Sequence, residues 1–429
     1  MSCGLAILVG LAAPALAAAS YKNAREHALF FHGQLRQSIL PYWLDTTLDR
    51  TNGGYVLADD GRGSRVAREK QLVTQARLVW TFSLVHEKGY SNSGRDYLQA
   101  AEHGYRFLQE HFFDREHGGY YWKTDLTGQP INDRKILYGQ AFVIYALVEY
   151  SRASGNREPL QQALALYQVL QQHAYDGVHG GWFEHFTRDW KLITRPDSGV
   201  EVEVAGLKSA NAHLHLMEAL TELYQASGDA AVRKSLEEAL RLNSTYFYPK
   251  DAGKSCFHRQ PDWAEVTDPK SAGLSYGHNV EFAWLMIRAE QVLGVRPSWD
   301  HFHALMRHAL LHGFDYEHGG LYSRGMGDEP ANQLDKVWWV QAEMVAALAD
   351  VFRNRPEADY SRALSLTLQF IRHHQADPKD GIWYDTVTAD GQVKVAAKAH
   401  NWKANYHDVR ALIKLIEAFA PASFESVKK

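Results

Sequence analysis

The sequence predicts an all-α fold, an (α/α)6 barrel of twelve helices with short β-hairpins in the long loops on one face. Three observations predict it: a glycine turn recurring at a steady interval, helical apolar periodicity between the turns, and alternating long and short links. Asn52-Gly53-Gly54-Tyr55, His117-Gly118-Gly119-Tyr120, His179-Gly180-Gly181-Trp182, His318-Gly319-Gly320-Leu321 and Asp380-Gly381-Ile382-Trp383 are variants of one element. From Gly54 through Gly119, Gly181 and Gly320 to Gly381 the intervals are 65, 62, 139 and 61 residues. The long interval holds two repeats, with Gly253 near Cys256-Phe257 as a degenerate copy. Six stacked supersecondary units then span nearly the whole chain.

Between the turns the period is helical. Residues 22–45, 65–89, 93–113, 135–154, 157–173, 205–227, 229–247, 276–293, 299–312, 334–354, 358–374 and 403–419 carry apolar side chains at i, i+3, i+4 and i+7. Leu207, Ala210, Leu214, Met217, Leu220 and Leu223 illustrate the pattern. Links before even-numbered helices are long and contain the turns. Links after them, such as Ser154-Gly155-Asn156 and Ser227-Gly228, are short and join antiparallel neighbours. Six antiparallel pairs without a capping repeat close into a ring rather than extend as a solenoid.

Gly4 to Ala19 is an apolar run containing Ala15-Leu16-Ala17, a small-x-small pattern, so residues 1–19 read as a secretory signal peptide. That places the mature protein in the periplasm or outside the cell; without such a signal it is cytoplasmic. Residues 20–429 then form a single barrel-shaped catalytic domain. No other segment reaches membrane-span length without charges, so no membrane is expected in the mature protein. With 46 Lys+Arg against 50 Asp+Glu the net charge is −4, and there is no basic excess to hold nucleic acid. Cys3 and Cys256 leave one thiol after removal of the leader, hence no internal disulfide. Aromatic residues at 12% and 22 histidines favour sugars or other polar organic ligands.

The unusual polar residues fall on the even-numbered helices, mostly in the half that follows a long loop. Helix two carries Arg77, and helix four opens with Leu137-Tyr138-Gly139-Gln140. Helix six has Asn211 and His215, four apart and on one face, whereas His213 faces nearly the opposite way and reads as structural. Helix eight opens with Ser275-Tyr276-Gly277-His278, and Glu281 follows. Helix ten has Trp338-Trp339 and Glu343, and helix twelve follows Trp402-Lys403 with Tyr406-His407. If the ring closes, these side chains converge on the loop-bearing mouth of its centre. No HExxH motif is present, and the spacing of His215, His278 and His407 does not support a zinc site, so no metal and no cofactor are expected.

At these residues the chain resembles the N-acylglucosamine 2-epimerase superfamily, and its cellobiose 2-epimerase branch in particular. Ser275-Tyr276-Gly277-His278-Asn279-Val280-Glu281-Phe282-Ala283-Trp284-Leu285 is similar to the family's SYGHDIExxWL segment, with Asn279 in place of the usual Asp. Lys336-Val337-Trp338-Trp339-Val340-Gln341-Ala342-Glu343 resembles KxWWxQAE. Asn211-Ala212-His213-Leu214-His215-Leu216-Met217-Glu218-Ala219 resembles NxHLHxxEA, and Trp402-Lys403 with Tyr406-His407 resembles WKxxYH. The resemblance implies a cofactor-independent isomerase acting on a mono- or disaccharide, as a monomer or homodimer. It implies His278 and His407 as the acid/base pair. His215, Arg77 and Asn211 would contact the sugar near C1 and C2, Tyr138 would line the pocket, and Trp339 and Trp402 would stack on sugar rings. Glu281 and Glu343 would hydrogen-bond and tune the histidines.

Inverting C2 of an aldose means removing a proton from carbon beside the open-chain aldehyde and returning one to the other face. Two imidazoles on different helices suit that task, and Arg77 with His215 could stabilise the enediolate. Return of the proton to C1 instead gives aldose–ketose isomerisation, so a mannose isomerase-like or N-acylglucosamine 2-epimerase activity stays open. A glycoside hydrolase using Glu281 and Glu343 is a further alternative, and a sugar-binding protein without turnover is another.

Overall fold

The computed structural model describes residues 21–57, 67–197, 199–268, 271–355 and 358–423; the leader read at 1–19 lies outside them. Twelve helices alternate along the described residues. They are α1 (residues 21–47, with a π-helical turn at Leu35–Ile39), α2 (Leu72–Glu87), α3 (Tyr97–Phe107), α4 (Leu137–Ser154), α5 (Glu158–His173) and α6 (Ala210–Ser227). Then follow α7 (Ala230–Leu242), α8 (Tyr276–Leu293), α9 (Trp299–His308), α10 (Trp338–Asn354), α11 (Ala358–Phe370) and α12 (Tyr406–Phe419). The even-numbered helices pack side by side in chain order, and α12 returns to α2, which closes the inner ring. Helices α3, α5, α7, α9 and α11 each pack outside the inner helix that precedes them. This is an (α/α)6 barrel. Inner helices, walled on both sides, are buried nearly all round, whereas an outer helix such as α7 buries one stripe, Val232, Leu236, Ala239 and Leu242. No described helix is long and apolar enough to cross a membrane.

The inner helices begin later than periodicity predicts. Helices α2, α4, α6, α10 and α12 start at Leu72, Leu137, Ala210, Trp338 and Tyr406 rather than at 65, 135, 205, 334 and 403. In four of these repeats the residues just before the helix form a short strand built round a buried lysine. Lys336–Val337 pairs antiparallel with Thr386–Val387, Lys208–Ser209 with His258–Arg259, Lys135–Ile136 with His185–Phe186, and Glu69–Gln71 with Lys123–Asp125. Each pair stitches one repeat's loop to the next on the same face of the ring.

The lysine explains the turn. Lys336 Nζ donates to Asp315 Oδ2 at 2.8 Å, to the Gly319 carbonyl at 2.7 Å and to the Ala389 carbonyl at 2.7 Å, which uses all three ammonium protons. Lys70 does the same with Asp49, Gly53 and Leu126, and Lys208 with Asp176, Gly180 and Pro261. Asp315 Oδ1 meanwhile accepts the backbone N–H groups of Glu317 and His318. Closing so tight a loop puts both glycines at positive φ, 85° and 88° at Gly319 and Gly320, which a side chain would oppose. One turn into the helix, Gln341 accepts the Leu321 N–H and donates to the Leu321 carbonyl, and Gln75 and Gln140 repeat this at Tyr55 and Tyr120. His213 takes the glutamine's place in the third repeat, accepting the Trp182 N–H at 3.2 Å, which is the structural role read for it.

Two repeats depart from this module. In the fourth, Leu274 stands where the lysine would be. In the sixth, Lys398 reaches Asp377 and Asp380, while Lys403 is buried and donates to the Lys398 carbonyl. A feature that periodicity did not reveal is the widened π turn at the end of four outer helices: Leu108–Phe112, Asn243–Phe247, Ala309–Gly313 and Ile371–Gln375.

Burial alone would raise the Asp315 pKa, but hydrogen bonds from Lys336, His318 and Glu317 outweigh it and hold the carboxyl at about 2. A depressed carboxyl contributes stability above its unfolded pKa, so this clamp is intact above pH ~4 and fails as pH falls towards 2. Lys336→Met strands the Asp315 charge and should cost about 3–5 kcal/mol in chemical denaturation. Adding Asp315→Leu should recover part of that loss.

Candidate active site

The repeat sets the register of the centre. Counting seven residues from each lysine position brings Arg77, Phe142, His215, Glu281, Glu343 and Arg410 to the inner face of the six inner helices. Five of these six can carry charge, so the centre of the ring holds an ionic network rather than an apolar core.

Arg410 organises the deepest layer. Its Nη2 donates to Glu281 Oε1 at 2.9 Å and to Glu343 Oε1 at 2.7 Å, and its Nη1 donates to Glu218 Oε1 and Tyr406 Oη. Burial works against every one of these carboxylates. Arg410 and the adjacent histidines nevertheless hold Glu218 and Glu343 at about 2. Glu281 goes the other way: burial and the Glu343 charge push it well up, so it is the neutral member. Three carboxyls and one guanidinium thus reduce to two anions and one cation.

The two anions set the histidine tautomers. His407 Nδ1–H donates to Glu343 Oε1 at 2.7 Å, and His215 Nδ1–H donates to Glu218 Oε2 at 2.8 Å. A carboxylate only accepts, so each ring keeps its Nε2 lone pair for the opposite side. Trp284 Nε1–H occupies the other oxygen of Glu343 at 2.9 Å. Burial dominates the imidazoles: His407 falls to about 3 and His278 to about 4, the charge of His215 adding to the latter. Both are neutral bases at neutral pH.

The upper layer faces the loops. Helix α8 begins with Ser275 Oγ accepting the His278 N–H. A Cβ on Gly277 would sit 2.6 Å from the Trp339 ring, so glycine there lets the indole lie against the helix. The Trp339 ring centre lies 4.7 Å from that of His278 and 5.8 Å from that of His407, so one indole touches both imidazoles. Arg77 donates to Tyr138 Oη at 2.9 Å and to the Trp402 carbonyl at 3.3 Å. Trp402 is 38% exposed while Arg77 is at 3% and His407 at 6%, so access narrows inward. Asn211 Nδ2 donates to Glu203 Oε1 at 3.1 Å, and His258 Nε2 donates to Glu203 Oε2 at 2.9 Å. Glu203 has φ 56°, a left-handed backbone that a non-glycine residue keeps only where its surroundings fix it.

His278, His407, His215, Arg77, Tyr138, Asn211, Trp339 and Trp402 thus gather at one mouth. Glu281 and Glu343 are fully buried and both tied to Arg410, so they are not laid out as two free carboxylates flanking a bond. Glu343 does bond a histidine, but Glu281 bonds Arg410 instead. His215 also departs from its expected donor role, because Glu218 claims its only N–H. Sequence reading missed Arg410, Glu218, Glu203 and His258; the seven-residue offset from the lysine position was the signal that would have found Arg410. Ligand atoms of Glu281, Glu343 and His407 lie within 4.8 Å of one another, but the Arg410 guanidinium already bridges these two carboxylates. A metal does not fit there.

A closed helical ring thus presents two neutral imidazoles from different helices against one indole. The N-acylglucosamine 2-epimerase family model matches residues 53–411, and the chain belongs to that family of sugar-isomerising enzymes. It is 31% identical over 389 residues to a cellobiose 2-epimerase of Bacteroides fragilis, covering 89% of this chain and 97% of the relative. The solved cellobiose 2-epimerase of Spirochaeta thermophila superposes with a TM-score of 0.81 at 30% identity, covering 95% of this chain and 98% of that one. A D-mannose isomerase of Marinomonas mediterranea is 24% identical, covering 89% of this chain and 95% of the relative.

Glu343→Gln removes the anion that fixes His407 and part of what Arg410 binds. The expected result is a kcat loss of about 100-fold with KM changed little, read by steady-state kinetics. Because both histidines titrate near or below pH ~4, kcat/KM should hold its plateau down to about pH 5; half-loss at pH 6–6.5 would mean unperturbed imidazoles.

Proposed function

We propose that this enzyme inverts C2 of the reducing-end glucose or mannose unit of a β-1,4-linked disaccharide. The observation that carries the mechanism is that His278 and His407, from different helices, both lie against the Trp339 indole, with the Nδ1–H of His407 held by Glu343 and its Nε2 left free. A sugar ring laid on the Trp339 and Trp402 indoles brings one face of C2 towards each imidazole.

The steps follow from the protonation states. As the ring opens, His215 Nε2 takes the anomeric hydroxyl proton and passes it to the ring oxygen, which leaves C1 as a hydroxyl. A neutral imidazole of the pair then removes the C2 proton, made acidic by the new aldehyde. Arg77 uses only part of its N–H set on Tyr138 and Trp402, and its remaining donors stabilise the enediolate oxygens. The enediolate charge lets the opposite imidazole take up a proton from solvent and deliver it to the other face of C2, the first imidazolium returns its proton to solvent, and ring closure releases the epimer. No step calls for a metal or a redox group. The second reading, aldose–ketose isomerisation, uses the same enediolate and differs only in proton return at C1; the likeness to a D-mannose isomerase keeps it in view.

Incubation in D2O with cellobiose, mannobiose, mannose and N-acetylglucosamine should place deuterium at C2 of an epimer. Label at C1 of a ketose would instead establish the isomerase, and no label in any sugar would end both readings. His278→Ala and His407→Ala should each lower kcat by about 100-fold or more.

A further inference from the structure

In the first and fifth repeats the lysine ammonium sits in a defined nest. Besides the turn aspartate and two carbonyls it lies over a ring, Lys70 at 4.3 Å from Phe107 and Lys336 at 4.1 Å from Phe370. Phe107 and Phe370 are each the last α-helical residue of an outer helix, immediately before its π turn. The fourth repeat has lost the lysine to Leu274, and its turn has no paired glycines. There the residue before the π turn is His308.

His308 Nε2 lies 3.0 Å from the Gly327 carbonyl and 3.3 Å from Asp328 Oδ1. Gly327 belongs to the hairpin following the fifth turn, as the third lysine acceptors Leu126 and Ala389 belong to hairpins following theirs. His312, one turn on, faces His308 with ring centres 4.7 Å apart. Ligand atoms of His308, His312 and Asp328 all lie within 4.8 Å of one another. A Cβ on Gly253 would come 2.4 Å from Asp328 Oδ1, so the carboxylate rests directly on the degenerate turn. The repeat's cation has gone, and a two-imidazole, one-carboxylate group stands at the same junction.

We propose that His308, His312 and Asp328 bind a divalent transition-metal ion of the zinc type, which clamps the fourth repeat as the lysine ammonium clamps the first, second, third and fifth. Two imidazoles select such an ion over Ca2+ or Mg2+, which favour all-oxygen shells. The ion ties α9 to the hairpin carrying Arg324–Gly325, the strand partner of Leu274–Ser275, and Ser275 caps α8 at His278. Its effect is therefore on stability near the entry of His278, not on the chemistry.

The test uses the full chain stripped with chelator and titrated with Zn2+ by calorimetry, with metal content counted after dialysis. One ion per chain is expected, with a Tm rise of roughly 3 °C at 100-fold excess over Kd. His308→Phe, which installs the phenylalanine of the first and fifth repeats, and His312→Ala should each weaken Zn2+ binding at least tenfold while metal-free turnover stays unchanged. Mg2+ and Ca2+ should give no binding heat. Absence of stoichiometric Zn2+ binding, or affinity in both variants unchanged from the parent chain, would overturn the proposal. So would an ion that competes with the sugar.

Discussion

One guanidinium holds the interior of this ring together. Three carboxyl groups at the bottom of a cavity would be untenable alone, since each buried charge costs several kcal/mol unless it is paired and hydrogen-bonded. Arg410 touches all three, and Glu281 gives up its charge to make the balance work. Each of the two remaining anions also accepts the Nδ1–H of a histidine, Glu218 on its second oxygen and Glu343 on the oxygen it shares with Arg410. Tautomer, ring orientation and the direction of two lone pairs thus follow from one residue that touches no ligand. The centre is rigid because every member of the network is needed to satisfy another.

The twelve helices were legible because a helix facing a core on one or both sides must repeat its apolar residues at 3.6. Their starts were not. Lys70, Lys135, Lys208 and Lys336 have long aliphatic stems that blend into helical periodicity, yet each ends in a strand because its ammonium must reach a turn some twenty to thirty residues back. The π turns were invisible for the same reason: widening by one residue shifts the apolar phase by less than a boundary's usual uncertainty.

Within the site, the residues at the mouth were readable and those beneath them were not. His278 and His407 stand out as imidazoles at the start of apolar helices. Arg410 lies a turn further in, on a helix whose other polar residues drew attention first, and its importance depends on helices supplied by other repeats. Glu281 and Glu343 look like catalytic carboxylates in one dimension because sequence cannot say whether a side chain faces the opening or lies behind it. Burial decides that, and here Glu343 holds His407 while Glu281 holds Arg410.

The bond from Arg77 to the Trp402 carbonyl joins residues 325 positions apart. It crosses the seam where the last inner helix meets the first. During synthesis on the ribosome, five of the six inner walls are complete before the segment bearing Trp402, His407 and Arg410 emerges. Under the proposed mechanism, a nascent chain therefore carries Arg77 and His278 long before it can transfer a proton between two faces of a substrate. Catalytic competence arrives in one step with the seam, so turnover reports that the whole circle has been assembled.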